Sequence, residues 1–195
     1  MEHQAAAQDP ATFERRNKLF MLLQAKAFCR GKVVLASGKE STYYFDMKPA
    51  MLDPDGAALM AELILEELQG IDADAIGGLE MGAVPLIAPV AMKSPAYGRY
   101  LPGFFVRKAV KDHGTKKRVD GNDIVGKTVV ILEDVTTTGG SAMDAVKAVE
   151  DAGAKVSLVI SILDRGEGAA ALYADAGVPF KSLFKAEEFL GGASV

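Results

Sequence analysis

The spacing of apolar residues changes several times along the chain, and each change predicts an element. Over residues 12–28, TFERRNKLFMLLQAKAF, Phe13, Leu19, Phe20, Leu22, Leu23 and Ala27 recur at mixed three- and four-residue spacing. With Thr12 and Glu14 suited to a helix start, this pattern predicts an amphipathic first helix. Two short β-rich runs follow at 33–36 and 42–46, separated by Ser37-Gly38-Lys39-Glu40, which predicts a hairpin-like entry segment outside the main sheet. Asp53-Pro54-Asp55-Gly56 then opens a second helix to about residue 68, with Leu59, Leu63 and Ile64 on one face and Glu66-Glu67 on the other. From there strands and helices alternate: DAIGGLE, a helix over 84–92, GFFVRK, KTVVILEDV, a helix over 141–152, KVSLVISILD, a helix over 168–176, and PFKSLFK. The alternation predicts an α/β fold, a mostly parallel central sheet with helices on both faces. One stretch breaks it. Residues 107–122, RKAVKDHGTKKRVDGN, form a basic, polar connection longer than the roughly 2–6 residues usual between such elements, as lids often are.

Composition narrows the picture. The chain has 195 residues, 49% of them hydrophobic, enough for one compact domain with a sizeable core. A net charge of −4, with basic residues clustered only in 107–122, argues against a nucleic-acid partner held by phosphate neutralisation and favours a small-molecule ligand. The N-terminus has no signal-peptide pattern and no segment approaches the roughly 18 continuous apolar residues of a membrane span, so a cytoplasmic protein without membrane contact is expected. The single cysteine, Cys29, forms no internal disulfide and is expected as a buried or half-buried residue on a helix.

Residues 129–142, VVILEDVTTTGGSA, carry the most specific chemistry. A buried strand has no need of two carboxylates at its carboxyl end, but ligands of open α/β sheets bind at that end. Behind Glu133 and Asp134, the run Thr136-Thr137-Thr138-Gly139-Gly140-Ser141 offers hydroxyls, close backbone approach and a helix N-terminus, which together make a phosphate cradle. The spacing GxxxxGK[ST] is absent, so this is no Walker A loop, and GxGxxG is absent too, which disfavours a Rossmann-type binder. The carboxylates would repel a phosphate unless they engage ribose hydroxyls or, through water, a magnesium ion. A phosphorylated sugar satisfies both halves.

ILEDVTTTGGSA resembles the binding signature of the type I phosphoribosyltransferases, which grip the ribose and 5′-phosphate of phosphoribosyl pyrophosphate (PRPP). SGKESTYYFDMK at 37–48 resembles the base-covering hood of the orotate branch of that family, and RKAVKDHG at 107–114 resembles its mobile catalytic loop. GGLEMGAVP at 77–85 is similar to the pyrophosphate-side loop and, with LDRGEG at 163–168, extends the likeness over roughly residues 12–190. The resemblance implies a single phosphoribosyltransferase domain over 1–195, with 12–50 supplying the first helix and hood and 107–122 the mobile loop. It implies transfer from PRPP to N1 of orotate with Mg²⁺, held mainly by PRPP, as cofactor. It also implies a homodimer whose loop reaches the neighbouring active site.

The roles follow residue by residue. Lys111, Arg107, Lys108 and His113 would surround the pyrophosphate, with Lys111 the most important for rate; by charge alone they could equally be a solvated loop. Glu133, Asp134, Thr136–Ser141 and the loop cations would bind PRPP, and Asp134 joins the loop cations as a catalytic candidate. Tyr44, Phe45, Thr137, Arg165 and Lys48 would bind orotate. Tyr44 and Phe45 could wall a flat ring or be ordinary hairpin core. Arg165 suits a bidentate carboxylate contact, or a salt bridge with Asp164 or Glu167. Gly77, Gly78 and Gly82 could turn backbone N–H groups toward an anion or merely permit a tight turn. Two departures stand out: Ala36 occupies the place of a hood lysine common in the family, leaving Lys39 and Lys48 as substitutes, and GLEMGAVP lacks the lysine some members carry there. A phosphoribosyltransferase for another base, or a PRPP-binding regulator, would share the cradle.

Overall fold

The structure is a computed structural model that describes residues 9–34, 40–109 and 117–191. Pro10–Lys26 forms α1, which buries Leu19 and Leu23. It leads into an antiparallel hairpin of β1 (Phe28–Val34) and β2 (Glu40–Phe45), paired from Phe28 opposite Phe45 to Val34 opposite Glu40. The first strand therefore begins at Phe28, five residues before the sequence pattern suggests, and Cys29 is half-buried on a strand rather than on a helix. Cross-strand packing overrides helical spacing here, because the Phe28 ring lies 5.1 Å from that of Phe45 and 6.0 Å from that of Phe189.

A one-turn helix that the pattern did not announce, α2 (Lys48–Met51), precedes α3 (Pro54–Glu67). Asp53 caps α3, its side chain accepting from the N–H groups of Asp55 and Gly56 at 3.0 and 3.1 Å. Then come β3 (Ala75–Gly77), α4 (Val84–Lys93), a 3-10 turn (Ser94–Tyr97), β4 (Phe104–Val106), β5 (Val119–Gly121), β6 (Thr128–Thr136), α5 (Gly140–Asp151), β7 (Lys155–Asp164), α6 (Ala169–Asp175), β8 (Phe180–Lys185) and α7 (Ala186–Leu190). The last helix was not expected from the sequence pattern.

β3, β6, β7 and β8 are parallel neighbours in that order. β4 lies against the outer side of β3 through parallel bridges between Ile76 and Gly103 and between Leu79 and Val106. β5 pairs antiparallel with β4, so the end of the expected 107–122 connection is strand, with Val119 and Asp120 opposite Val106 and Phe105. Alternation along β6 explains its continuous apolar run. Val130 and Leu132 enter a core shared with Leu19 and Leu23 of α1, Met60 and Ile64 of α3, and Leu86 of α4. Val129 and Ile131 enter a second core with Val146 and Val149 of α5 and Tyr173 of α6. A parallel strand covered on both faces has no polar side to show. Among the described residues, no helix is long and apolar enough to cross a membrane.

Candidate active site

β6 carries the acidic pair to the carboxyl edge of the sheet. Glu133 is only 7% exposed, and its Oε2 has no hydrogen-bond partner among the described residues. Burial, then the charge of Asp134, pushes its carboxyl up to about 8. Asp134 is half-buried and turns one oxygen back to accept from the N–H of Val135 at 2.8 Å. Next along the chain, Thr136, Thr137, Thr138, Gly139, Gly140 and Ser141 line a small cavity of about 40 Å³ together with Glu133 and Tyr173. Gly139 takes φ +87°, and a Cβ there would lie 3.1 Å from the Tyr173 ring, so glycine answers both the turn and the packing. No side chain caps α5, which leaves its first N–H groups facing the turn. Tyr173, fully buried, reaches the Gly139 carbonyl with its hydroxyl at 3.4 Å, and burial pushes that hydroxyl up to about 12. This neutral donor props the cradle from below.

The loop 77–85 closes on the same edge. A Cβ on Gly82 would stand 2.6 Å from Asp134 Oδ1 and 3.0 Å from Glu133 Oε1, so only a glycine lets the loop approach the acidic pair this closely. The Glu80 carboxylate accepts from the Lys108 N–H at 3.1 Å, and the positive charge of Lys108 acts on Glu133 against the upward shift. Arg107 is drawn elsewhere. Its Nε donates to Asp120 at 2.5 Å and its guanidinium lies 5.5 Å from the centre of the Phe105 ring. The foot of the basic connection is further fixed by Arg118, which donates to the Arg107 carbonyl at 3.0 Å and to both oxygens of Asp144 on α5. That pairing holds Asp144 below the usual carboxylate range. Lys111 and His113, like Ala36 and Lys39 of the hood, lie outside the described residues.

Arg165 follows the end of β7, and its backbone N–H donates to the Thr136 carbonyl at 2.9 Å, which ties it to the cradle strand. Its side chain is 6% exposed, with Nε 2.9 Å from Glu167 Oε1. The same Nε lacks an aligned hydrogen bond, so the contact is an ion pair with poor directionality. The guanidinium lies 5.0 Å from the centre of the Tyr43 ring. Thus the hood does reach Arg165, but through Tyr43. Strand alternation turns Tyr44 outward, opposite Cys29, while Phe45 packs 5.2 Å from Phe189. Lys48 is exposed and lies 3.2 Å from Asp46 Oδ1. Tyr43 and Glu80 lie inside segments the sequence singled out but were not themselves picked, and Tyr173 lies outside any of them; only the period-two alternation of β2 could have separated Tyr43 from Tyr44.

Among the described residues, no cluster of three or more His, Cys, Asp or Glu side chains could hold a metal ion.

The family model for the phosphoribosyl transferase domain matches residues 50–194. An orotate phosphoribosyltransferase of Bradyrhizobium diazoefficiens is 52% identical over 179 residues, which is 90% of this chain and 96% of that protein. The crystal structure of Mycobacterium tuberculosis orotate phosphoribosyltransferase in complex with Fe(III) dicitrate has a TM-score of 0.81 at 34% identity, covering 90% of this chain and 98% of that one. The same enzyme in complex with PRPP gives a TM-score of 0.77 at 33% identity, with equal coverage. Similarity of this extent, over nine-tenths of the chain, places it in the orotate phosphoribosyltransferase family.

Proposed function

We propose that this chain transfers the phosphoribosyl group of PRPP to N1 of orotate, forming orotidine 5′-monophosphate and pyrophosphate, a step of pyrimidine nucleotide synthesis in the cytoplasm. The observation that carries the reading is Arg165, a nearly buried guanidinium tied to Thr136 of the cradle strand and covered by Tyr43 of the hood. A buried fork donor beside a phosphate cradle suits a flat base that carries a carboxylate, which orotate has and uracil lacks.

The chemistry breaks the bond between ribose C1 and the pyrophosphate oxygen and forms one from C1 to N1. Positive charge grows on the ribose and negative charge on the departing pyrophosphate, so the chain contributes mainly position and electrostatics. In this reading the turn from Thr137 to Ser141 holds the 5′-phosphate, Glu133 and Asp134 hold the ribose hydroxyls, and Lys108 with Lys111 and His113 draws off the leaving group. Arg107 joins them only by leaving Asp120. Thr137, Tyr44, Phe45 and Lys48 contribute to the orotate side through backbone and edge contacts.

Mg²⁺ would enter with PRPP, with Glu133 and Asp134 the residues of this chain that would help hold it, and it would supply neutralisation of charge on the leaving group. A homodimer whose basic connection reaches the neighbouring site completes the proposal.

The test mixes protein, orotate, PRPP and Mg²⁺ and follows the loss of orotate absorbance. Turnover that needs all three supports the reading; consumption of a purine with orotate untouched, or PRPP binding with no base consumed, refutes it.

A further inference from the structure

We propose that Tyr43 is the residue that positions Arg165 for a substrate carboxylate, and so determines how sharply a carboxylated pyrimidine is told from its carboxylate-free analogue. The proposal rests on the reading of orotate as substrate given above.

Three constraints act on the Arg165 side chain. Glu167 sits 2.9 Å from Nε, on the inner edge of the guanidinium. The guanidinium carbon lies over the Tyr43 ring, 5.0 Å from its centre and within cation–π range. The backbone N–H is fixed to Thr136 at 2.9 Å, so the side chain starts from a defined point beside the cradle. Among the described residues, no hydrogen bond engages the two terminal nitrogens. These are the pair that meets a carboxylate in bidentate fashion.

The Tyr43 ring is itself held. It stands 6.0 Å from Phe45 at an interplanar angle of 82°, and 6.1 Å from Phe28, in a cluster that continues to Phe189. The hood thus presents a fixed aromatic face, and the flexible arginine is laid on it. Without that face the guanidinium could tilt into the vacated space about the Glu167 contact, and the terminal pair would lose its aim. Glu167 alone cannot supply the orientation, because its contact with Nε is poorly aligned. Tyr43 therefore acts on binding of the base and leaves PRPP and the bond-breaking step alone.

The test is steady-state kinetics with orotate and PRPP varied separately. Tyr43→Leu is expected to raise KM for orotate about tenfold, between the values for an exposed and a fully desolvated cation–π contact. KM for PRPP and kcat should stay within about twofold. Tyr43→Phe keeps the ring and should resemble the wild type. Because removal of the ring can unfold the hood, a second series replaces Tyr43 by phenylalanine with one, three and five ring fluorines. Shape is then kept while the negative face of the ring is drained. A stepwise rise in KM for orotate with fluorination supports the proposal; a flat series, or parallel rises in both KM values, overturns it. A wild-type protein that leaves orotate untouched would instead overturn the functional reading, so the two failures are separable.

Discussion

Glu133→Gln should stabilise the free protein by an amount that grows with pH. Glu133 is buried beside Asp134, with Lys108 and the neutral hydroxyl of Tyr173 the other titratable groups acting with it, and its carboxyl is pushed up to about 8. The unfolded chain releases that proton at the ordinary glutamate value of 4.5, so between the two values the native state holds a proton the unfolded state has lost. Stability contributed by this group is complete below 4.5, falls as pH rises toward 8, and changes little beyond. At about 1.4 kcal/mol per unit, the loss between about pH 5 and about pH 8.5 approaches 4 kcal/mol, and water reaching the carboxylate trims it to about 2–4 kcal/mol. Glutamine matches the neutral acid in shape and has nothing to ionise. Urea denaturation of both proteins, without ligand or metal, at the two pH values gives the answer. The stability of the variant relative to wild type should rise by about 2–4 kcal/mol from the lower pH to the higher. A gap that stays constant would mean that Glu133 is ionised in the folded protein at both, and the argument from burial would fail.

Gly82→Ala would bring a Cβ to 2.6 Å from Asp134 Oδ1, so loop and carboxylate must part. We expect kcat/KM for PRPP to fall roughly 10–100-fold, as displacements near 1 Å at reacting groups do, and an unchanged value would show that the loop does not bear on PRPP. Arg99 donates to the carbonyls of Leu68, Ile71 and Ala73 at 2.5, 2.9 and 3.2 Å, which secures the chain leaving α3. Arg99→Ala should cost about 2–4 kcal/mol in urea unfolding with kinetic constants unchanged; a loss under about 0.5 kcal/mol would mean that water replaces the contacts without penalty. Lys111→Ala should lower kcat on the order of a hundredfold with little effect on PRPP affinity measured by calorimetry, and an unaltered kcat would remove Lys111 from the mechanism.

The sequence by itself determined what is local. The apolar run at 129–132 and the β-rich, mostly apolar stretch at 155–164 announced parallel strands, Asp53-Pro54-Asp55-Gly56 announced a helix start, and ILEDVTTTGGSA announced a cradle, because each depends on neighbours a few residues away. Only the tertiary structure decided which side chains meet across elements. Helical spacing ran on through Phe28 and Cys29, yet pairing with Phe45 and Tyr44 made them strand, and the basic connection yielded Val119–Gly121 to the edge of β4. The sequence nominated Tyr44 and Phe45 to wall a flat base and was silent on Tyr43, which alternation along β2 places against the arginine. Tyr43 and Arg165 are far apart in the chain, and nothing in either local sequence encodes their contact. The same holds for Glu133: its carboxylate is visible in the sequence, but its protonation depends on how completely the folded sheet edge keeps water away.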